Sequence, residues 1–217
     1  MPPFSRMSSP GDKPEPVCVA PQQVGLDVVE RAAGGDRSAQ EAVLEGSYDF
    51  VRRMLFRLVG AMDELEDLQQ TVMTRIITGL PRFRRESSWS TWVGGICVNV
   101  AKDYLRKRRA RQGELDSEQS EKVLGSCASS LDLQQAIEAR EQLLICHHAL
   151  DQLSENHRVA FVLRILGHSV DEIAQMTGSA RSTTRLRLYY ARKKFSRALA
   201  SEPEMHQAFL AQDVGGA

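Results

Sequence analysis

Apolar residues fall at Val51, Met54, Leu55, Leu58 and Val59, an i, i+3, i+4, i+7, i+8 spacing that predicts an amphipathic helix. Gly60 and the acids after it predict a break. Leu65, Leu68, Val72, Ile76 and Leu80 form a second apolar stripe, which Pro81 should end. A third helix is predicted from about Ser90 to Arg111, with Ser87 or Ser88 at its N-cap. Upstream, residues 27–46 read as a short helix pair around Gly34 and Gly35. Between 112 and 131 the chain turns to Gly, Ser, Glu and Gln, the composition of a linker. Helical periodicity then resumes through Leu133, Ile137, Leu144 and Ala149. No strand-like alternation occurs. The predicted fold is all-α: a tail (1–24), a helical domain (25–111), a flexible linker (112–131), a second small helical domain (132–199) and a C-terminal tail (200–217).

A length of 217 residues suits this division. No run reaches the roughly 18 apolar residues of a membrane span. The N-terminus lacks the apolar core of a signal peptide, so a cytoplasmic protein without membrane insertion is expected. Cys18, Cys97, Cys127 and Cys146 stand far apart with no CxxC pair, which argues against a disulfide framework or a zinc site. Cys146, His147 and His148 are adjacent and point in different directions on a helix, which disfavours a shared metal. No P-loop, G-x-G-x-x-G or nucleophile–base set is present, so neither a cofactor, a metal nor a catalytic residue is expected.

Formal net charge is zero, but its distribution is uneven. From Lys102 to Arg111 there are six basic residues and one acid; from Ile173 to Ala200 there are seven basic residues and no acid. Such segments create positive faces that a phosphate backbone can sense whatever the overall sum.

The stretch "SVDEIAQMTGSARSTTRLRLYYARKKF" carries the sharpest motif. Ser169 can cap a helix whose first turn holds Asp171 and Glu172. Gly178 suits a tight turn, and a basic second helix begins near Ala180. This is helix-turn-helix spacing, which puts Arg181, Ser182, Thr183 and Arg185 at the end that reaches base edges. Lys193 and its basic neighbours suit phosphates. Ser179 and Thr184 stand where such motifs usually carry apolar residues, with Leu186 and Leu188 as the candidates to compensate. The simpler alternative is a solvated basic helix.

Both tryptophans, Trp89 and Trp92, lie three residues apart at a predicted helix start, just ahead of the first basic run. Flat groups that hold unstacked bases, beside cations that hold the strand, are what opening a duplex needs. Packing in the core is the competing role; Trp92 is expected to be the buried one and Trp89 the more exposed. Gly94 and Gly95, inside this helix, cost roughly 1–2 kcal/mol relative to alanine.

Together, "EDLQQTVMTRIITGLPRFRRESSWSTWVGGICVNVAKDYLRKRR" and "ALDQLSENHRVAFVLRILGHSVDEIAQMTGSARSTTRLRLYYARKKF" resemble regions 2 and 4 of the extracytoplasmic-function (ECF) sigma factors of bacterial RNA polymerase. The resemblance implies that the helix over 63–80 docks on the β′ clamp helices of core polymerase through Asp63, Glu64, Glu66, Asp67 and Gln70. Thr71 stands where that family usually has glutamate, and Met73 where it has phenylalanine. Phe83 and Asn99 match a pocket for a flipped-out base of the −10 element. Extraction of such a base costs roughly a few kcal/mol, which the pocket must return. With Trp89, Trp92, Lys102, Arg106, Arg108 and Arg109 they would bind and melt that element.

In the second domain, Arg181, Ser182, Thr183, Arg185, Tyr189 and Lys193 would read the −35 element. Tyr190 replaces a frequent arginine. Further implied partners are the β flap of polymerase, promoter DNA and an anti-sigma factor that holds the protein inactive, often at the inner membrane. Two small domains on a loose tether should bind DNA weakly without polymerase, which removes the ordering cost. The alternative function is a stand-alone helix-turn-helix regulator; polymerase dependence separates the two.

Overall fold

The structure, a computed structural model, describes residues 24–60, 63–112 and 133–209 apart from 204 and 208, with backbone alone for 112 and 133–141. Every regular element among the described residues is helical. In the first unit α1 (Leu26–Ala33) leads through Gly35 to α2 (Arg37–Val59), whose N-cap Asp36 accepts from the Ala39 N–H at 3.2 Å. The pair expected within 27–46 is real, but its second member runs on to Val59. Val43, Ser47, Phe50, Val51 and Met54 form one buried stripe, and small Ser47 lets it pass without a break.

At Gly60, φ reaches 72° and the N–H returns to the Phe56 carbonyl, closing α2 with a left-handed cap. Next come α3 (Leu65–Gly79), a 3₁₀ turn (Leu80–Arg82) that accommodates Pro81, and α4 (Trp89–Gln112). Ser88 caps α4 by accepting from the Thr91 N–H at 3.1 Å. Met54, Leu55 and Leu58 of α2 pack with Val72 and Ile76 of α3 and with Val93, Cys97, Val98 and Ala101 of α4.

The second unit holds α5 (Leu133–Asp151), α6 (Glu155–Ile165), α7 (Val170–Thr177) and α8 (Arg181–Ala198). The linker expected at 112–131 lies almost wholly outside the described residues. Ser169 and Glu172 form the capping box at the start of α7, and Gly178 makes the turn at φ 60°. Ile173, Leu163, Ala191, Phe195 and Leu199 build the core. Thr184 is buried yet satisfied, because its hydroxyl donates to the Ala180 carbonyl at 3.2 Å. A polar residue is therefore tolerated there without compensation. Leu186 in fact offers none, being 55% exposed, whereas Leu188 does pack on the core.

Beyond α8 the chain folds back. The Phe209 ring meets Phe195 at 5.3 Å and Phe161 at 6.2 Å, and Ser196 shares a hydrogen bond with His206 at 2.9 Å. A segment to which the sequence assigned nothing thus covers the aromatic side of the second unit.

The two units pack together, with α6 and α7 against α4 and α6 also at the end of α2. Here the glycine pair of α4 acquires a purpose. A Cβ on Gly94 would stand 2.9 Å from Cε of Met176, and one on Gly95 would stand 3.6 Å from the Met176 carbonyl oxygen. The pair makes room for α7 to cross.

Candidate nucleic-acid interface

The start of α4 and the loop before it gather Phe83, Trp89 and Trp92 into one aromatic cluster. Ring centroids are 5.5 Å apart for Phe83–Trp89, 5.2 Å for Phe83–Trp92 and 5.1 Å for Trp89–Trp92. The expected roles of the tryptophans are reversed. Trp89 is the buried one, 7% exposed, while Trp92 is half-buried at the edge of the core. The reason lies in α3: Gly79 leaves space for the Trp92 indole to lie over its end, where a Cβ would approach Cζ2 to 3.0 Å. The first turn of α4 meanwhile turns Trp89 inward. Its indole N–H is buried with no hydrogen-bond partner.

Asn99 is exposed seven residues after Trp92. At 3.6 residues per turn that is almost two full turns, so the two lie on nearly the same side of α4. Arg82 and Arg84 are exposed beside Phe83, and Arg85, held at φ 58°, pairs with Glu30.

The cations farther along α4 divide into two groups. Arg106 and Lys107 are exposed, with Arg106 at 3.8 Å from Asp103. Arg108 and Arg109 reach the second unit, at 3.1 Å from Asp151 and 4.0 Å from Glu155. Lys102 is half-buried; burial, and then the nearby Arg187, hold its ammonium below the ordinary lysine value.

At the start of α3, Asp63 in the turn before it and Glu66, Asp67 and Gln70 on it are exposed along one acidic entry. Glu64 departs from them, half-buried and facing Tyr104; burial, and then that carboxylate, raise the phenol's pKa. Gln69 lies inward, donating to the Tyr48 carbonyl at 3.2 Å. The hydroxyl of Thr71 turns back to the Asp67 carbonyl at 2.8 Å.

In the helix-turn-helix, Arg181, Ser182, Thr183, Arg185, Tyr189 and Lys193 are all exposed on α8. Arg181 pairs with Asp171 at 3.1 Å, while Arg187 turns back to the Ser179 hydroxyl. Tyr189 and Tyr190 stand edge to face at 5.4 Å. Tyr189 is 61% exposed. No group of three or more His, Cys, Asp or Glu side chains converges on a metal position among the described residues, and none of the described helices is long and apolar enough to cross a membrane.

One residue of this region has no signal in the sequence. Arg158 of α6 is 2% exposed and donates from Nε to the Leu58 carbonyl at 2.8 Å and from Nη2 to the Val59 carbonyl at 3.0 Å. Its Nη1 meets Asp151. Its backbone partners are main-chain atoms about a hundred residues upstream, which side-chain patterns do not reveal.

Residues 44–111 match sigma-70 region 2, and residues 143–195 match sigma-70 region 4. The RNA polymerase sigma-H factor of Pseudomonas aeruginosa is 27% identical over 192 residues, covering 86% of this chain and 98% of that protein. The ECF RNA polymerase sigma-E factor of Escherichia coli K12 is 29% identical over 171 residues, covering 76% and 89%.

Two solved structures share the fold. CnrH in complex with the cytosolic domain of CnrY is 20% identical with a TM-score of 0.56, covering 82% of this chain and 99% of that one. The sigma factor RpoE of Bartonella quintana, in complex with the anti-sigma factor NepR, is 23% identical with a TM-score of 0.55, covering 75% and 97%. Two regions matched in the family's order, over more than half of the chain and over nearly the full length of these relatives, mean that this protein belongs to the sigma-70 family, in its ECF branch.

Proposed function

We propose that the protein is an alternative sigma factor that binds core RNA polymerase, directs it to promoters with particular −35 and −10 elements, and nucleates their opening. The observation that carries this reading is the pairing, on one chain, of an aromatic cluster flanked by Asn99 and cations with a helix-turn-helix whose predicted base readers are all exposed. A duplex-only regulator has a use for the second feature but none for the first.

Residues 25–111 would form the −10 unit and residues 132–199 the −35 unit. Asp63, Glu66, Asp67 and Gln70 would dock on the β′ clamp helices, with the β flap contacting the second unit. Arg185 would make the leading base contact through its planar fork. Phe83, Trp92 and Asn99 would receive an extruded base, Trp89 would brace them from beneath, and Arg106 with the neighbouring cations would hold the strand. Binding energy drives the opening, so this chain needs no catalytic site or cofactor. Residence in the cytoplasm and restraint by an anti-sigma factor, the kind of partner bound to the similar Bartonella protein, complete the proposal.

Run-off transcription from a library of genomic promoter fragments, with core polymerase in the presence and absence of the protein, tests it. Specific transcripts should appear only on addition and vanish with folded Asn99→Ala or Arg185→Ala. Strong fragment binding without polymerase, and no new transcript, would favour the stand-alone regulator.

A further inference from the structure

The stretch between the 3₁₀ turn and α4 is held at its two ends. The Phe83 N–H donates to the Leu80 carbonyl at 3.1 Å, and Ser88 caps α4. Among the described residues, no main-chain hydrogen bond reaches residues 84–87 in between. Their polar tie to another element is the ion pair of Arg85 with Glu30 of α1. Arg85 is also the one non-glycine at positive φ among the described residues, at 58°. L residues adopt that conformation rarely, and it persists where the surroundings select it. Its neighbours Arg82 and Arg84 are exposed, so of the three arginines around Phe83 it is Arg85 that turns to α1.

Helix α1 is a firm anchor for this contact. Val29 and Ala32 are buried, the Gln40 amide of α2 donates to the Ala32 carbonyl at 3.1 Å, and α1 also lies against the 3₁₀ turn. The paired side chains are half-exposed, which makes the pair a small contributor to global stability. Its effect is local: it selects one arrangement of a segment with few other restraints. That segment joins Phe83 to Trp89, whose rings meet at 5.5 Å.

We propose that Glu30 is a positioning residue for base recognition: through Arg85 it fixes the loop over 83–88, and with it the place of Phe83 beside Trp92. The role rests on the proposed function, in which Phe83, Trp92 and Asn99 receive an extruded base of the −10 element. A loop set in one arrangement presents one pocket shape and favours one base. A loop released from α1 samples several and discriminates less.

Full-length Glu30→Gln, Arg85→Gln and the double variant test this in two ways. Amide hydrogen exchange over 84–88 should accelerate in all three, with the melting temperature of the parent retained. Run-off transcription with core polymerase then compares the strongest fragment of the genomic library with its single-base −10 variants. Each protein variant should distinguish the preferred base from its competitors about fivefold less well at one position, a loss typical of coupling between contacting residues. The two single substitutions change net charge in opposite senses, so a shared loss of discrimination is not a charge effect. The double variant should lose no more than Arg85→Gln alone, because Glu30 acts through that residue.

Unchanged exchange in Glu30→Gln would overturn the proposal. So would an equal loss of yield from every template, or additive losses in the double variant. A parent protein that gives no specific transcript removes the sigma reading, and the recognition role falls with it. Transcription that keeps its full base preference in Glu30→Gln removes the positioning role alone.

Discussion

Gly79 and Trp92 are in direct contact: the indole lies where any side chain at position 79 would have to go, with Cζ2 only 3.0 Å from an ideal Cβ. The end of α3 therefore sets the position of the ring that completes the aromatic cluster. Gly79→Val should push Trp92 away from Phe83. Overpacking of this kind costs about 1–3 kcal/mol. The expected outcome is a lower melting temperature, a shifted tryptophan emission and loss of promoter opening, with binding to a duplex −35 fragment retained. Permanganate footprinting of the −10 region would register the loss of opening.

Acid should loosen the protein through His147. Burial, followed by the nearby Arg158, lowers its imidazole from the usual value of 6.5 to about 4, with Asp151 opposing and Arg108 adding to the effect. From α2, Phe56 and Gly60 face the same ring. The unfolded chain binds the proton first as pH falls, so stability is full above about 6.5 and is lost as pH falls from there toward 4. A shift of this size is worth up to about 3 kcal/mol. Urea titrations at pH 7.5 and 5 should differ by an amount that shrinks in His147→Gln.

The capping box of α7 gives a local prediction. Ser169→Ala removes the side-chain acceptor for the Glu172 N–H and leaves that donor to water. Loss of such a cap costs about 0.5–2 kcal/mol. Hydrogen exchange should accelerate at the first turn of α7, and the second unit should melt earlier. Ser169→Asp, which retains an acceptor, should restore most of the difference.

At the C-terminal end, Phe209 packs against Phe195 and Phe161. Phe209→Ala should expose that pair to solvent. Aromatic contacts of this kind contribute about 0.5–1.5 kcal/mol beyond the area they bury. Greater binding of a hydrophobic dye, with α8 still helical by hydrogen exchange, is the expected signature.

The helices were legible in the sequence because their apolar stripes are continuous, and the capping box because its residues are local. The reversal of Trp89 and Trp92 was not legible. It depends on Gly79, whose vacant side-chain position is on another helix. Thr184 looked like a fault because only the fold shows its hydroxyl returning to Ala180. Gly94 and Gly95 were conspicuous but unexplained, since the helix they admit lies some eighty residues downstream. The exposed face of α8 was accessible to sequence reasoning because it is written in side chains, whereas a contact such as that of Arg158 is completed by backbone.

The exposed candidate readers of α8 and the engaged cations of α4 also bear on the order of events in the proposed function. Arg185 and Tyr189 face outward while Arg108 and Arg109 are held by Asp151 and Glu155. On the proposed function, a molecule in this arrangement would offer its α8 readers to intact duplex while two of its α4 cations were still engaged. Timing would then be a property of the fold: the promoter is located first, and the means to open it is released afterwards.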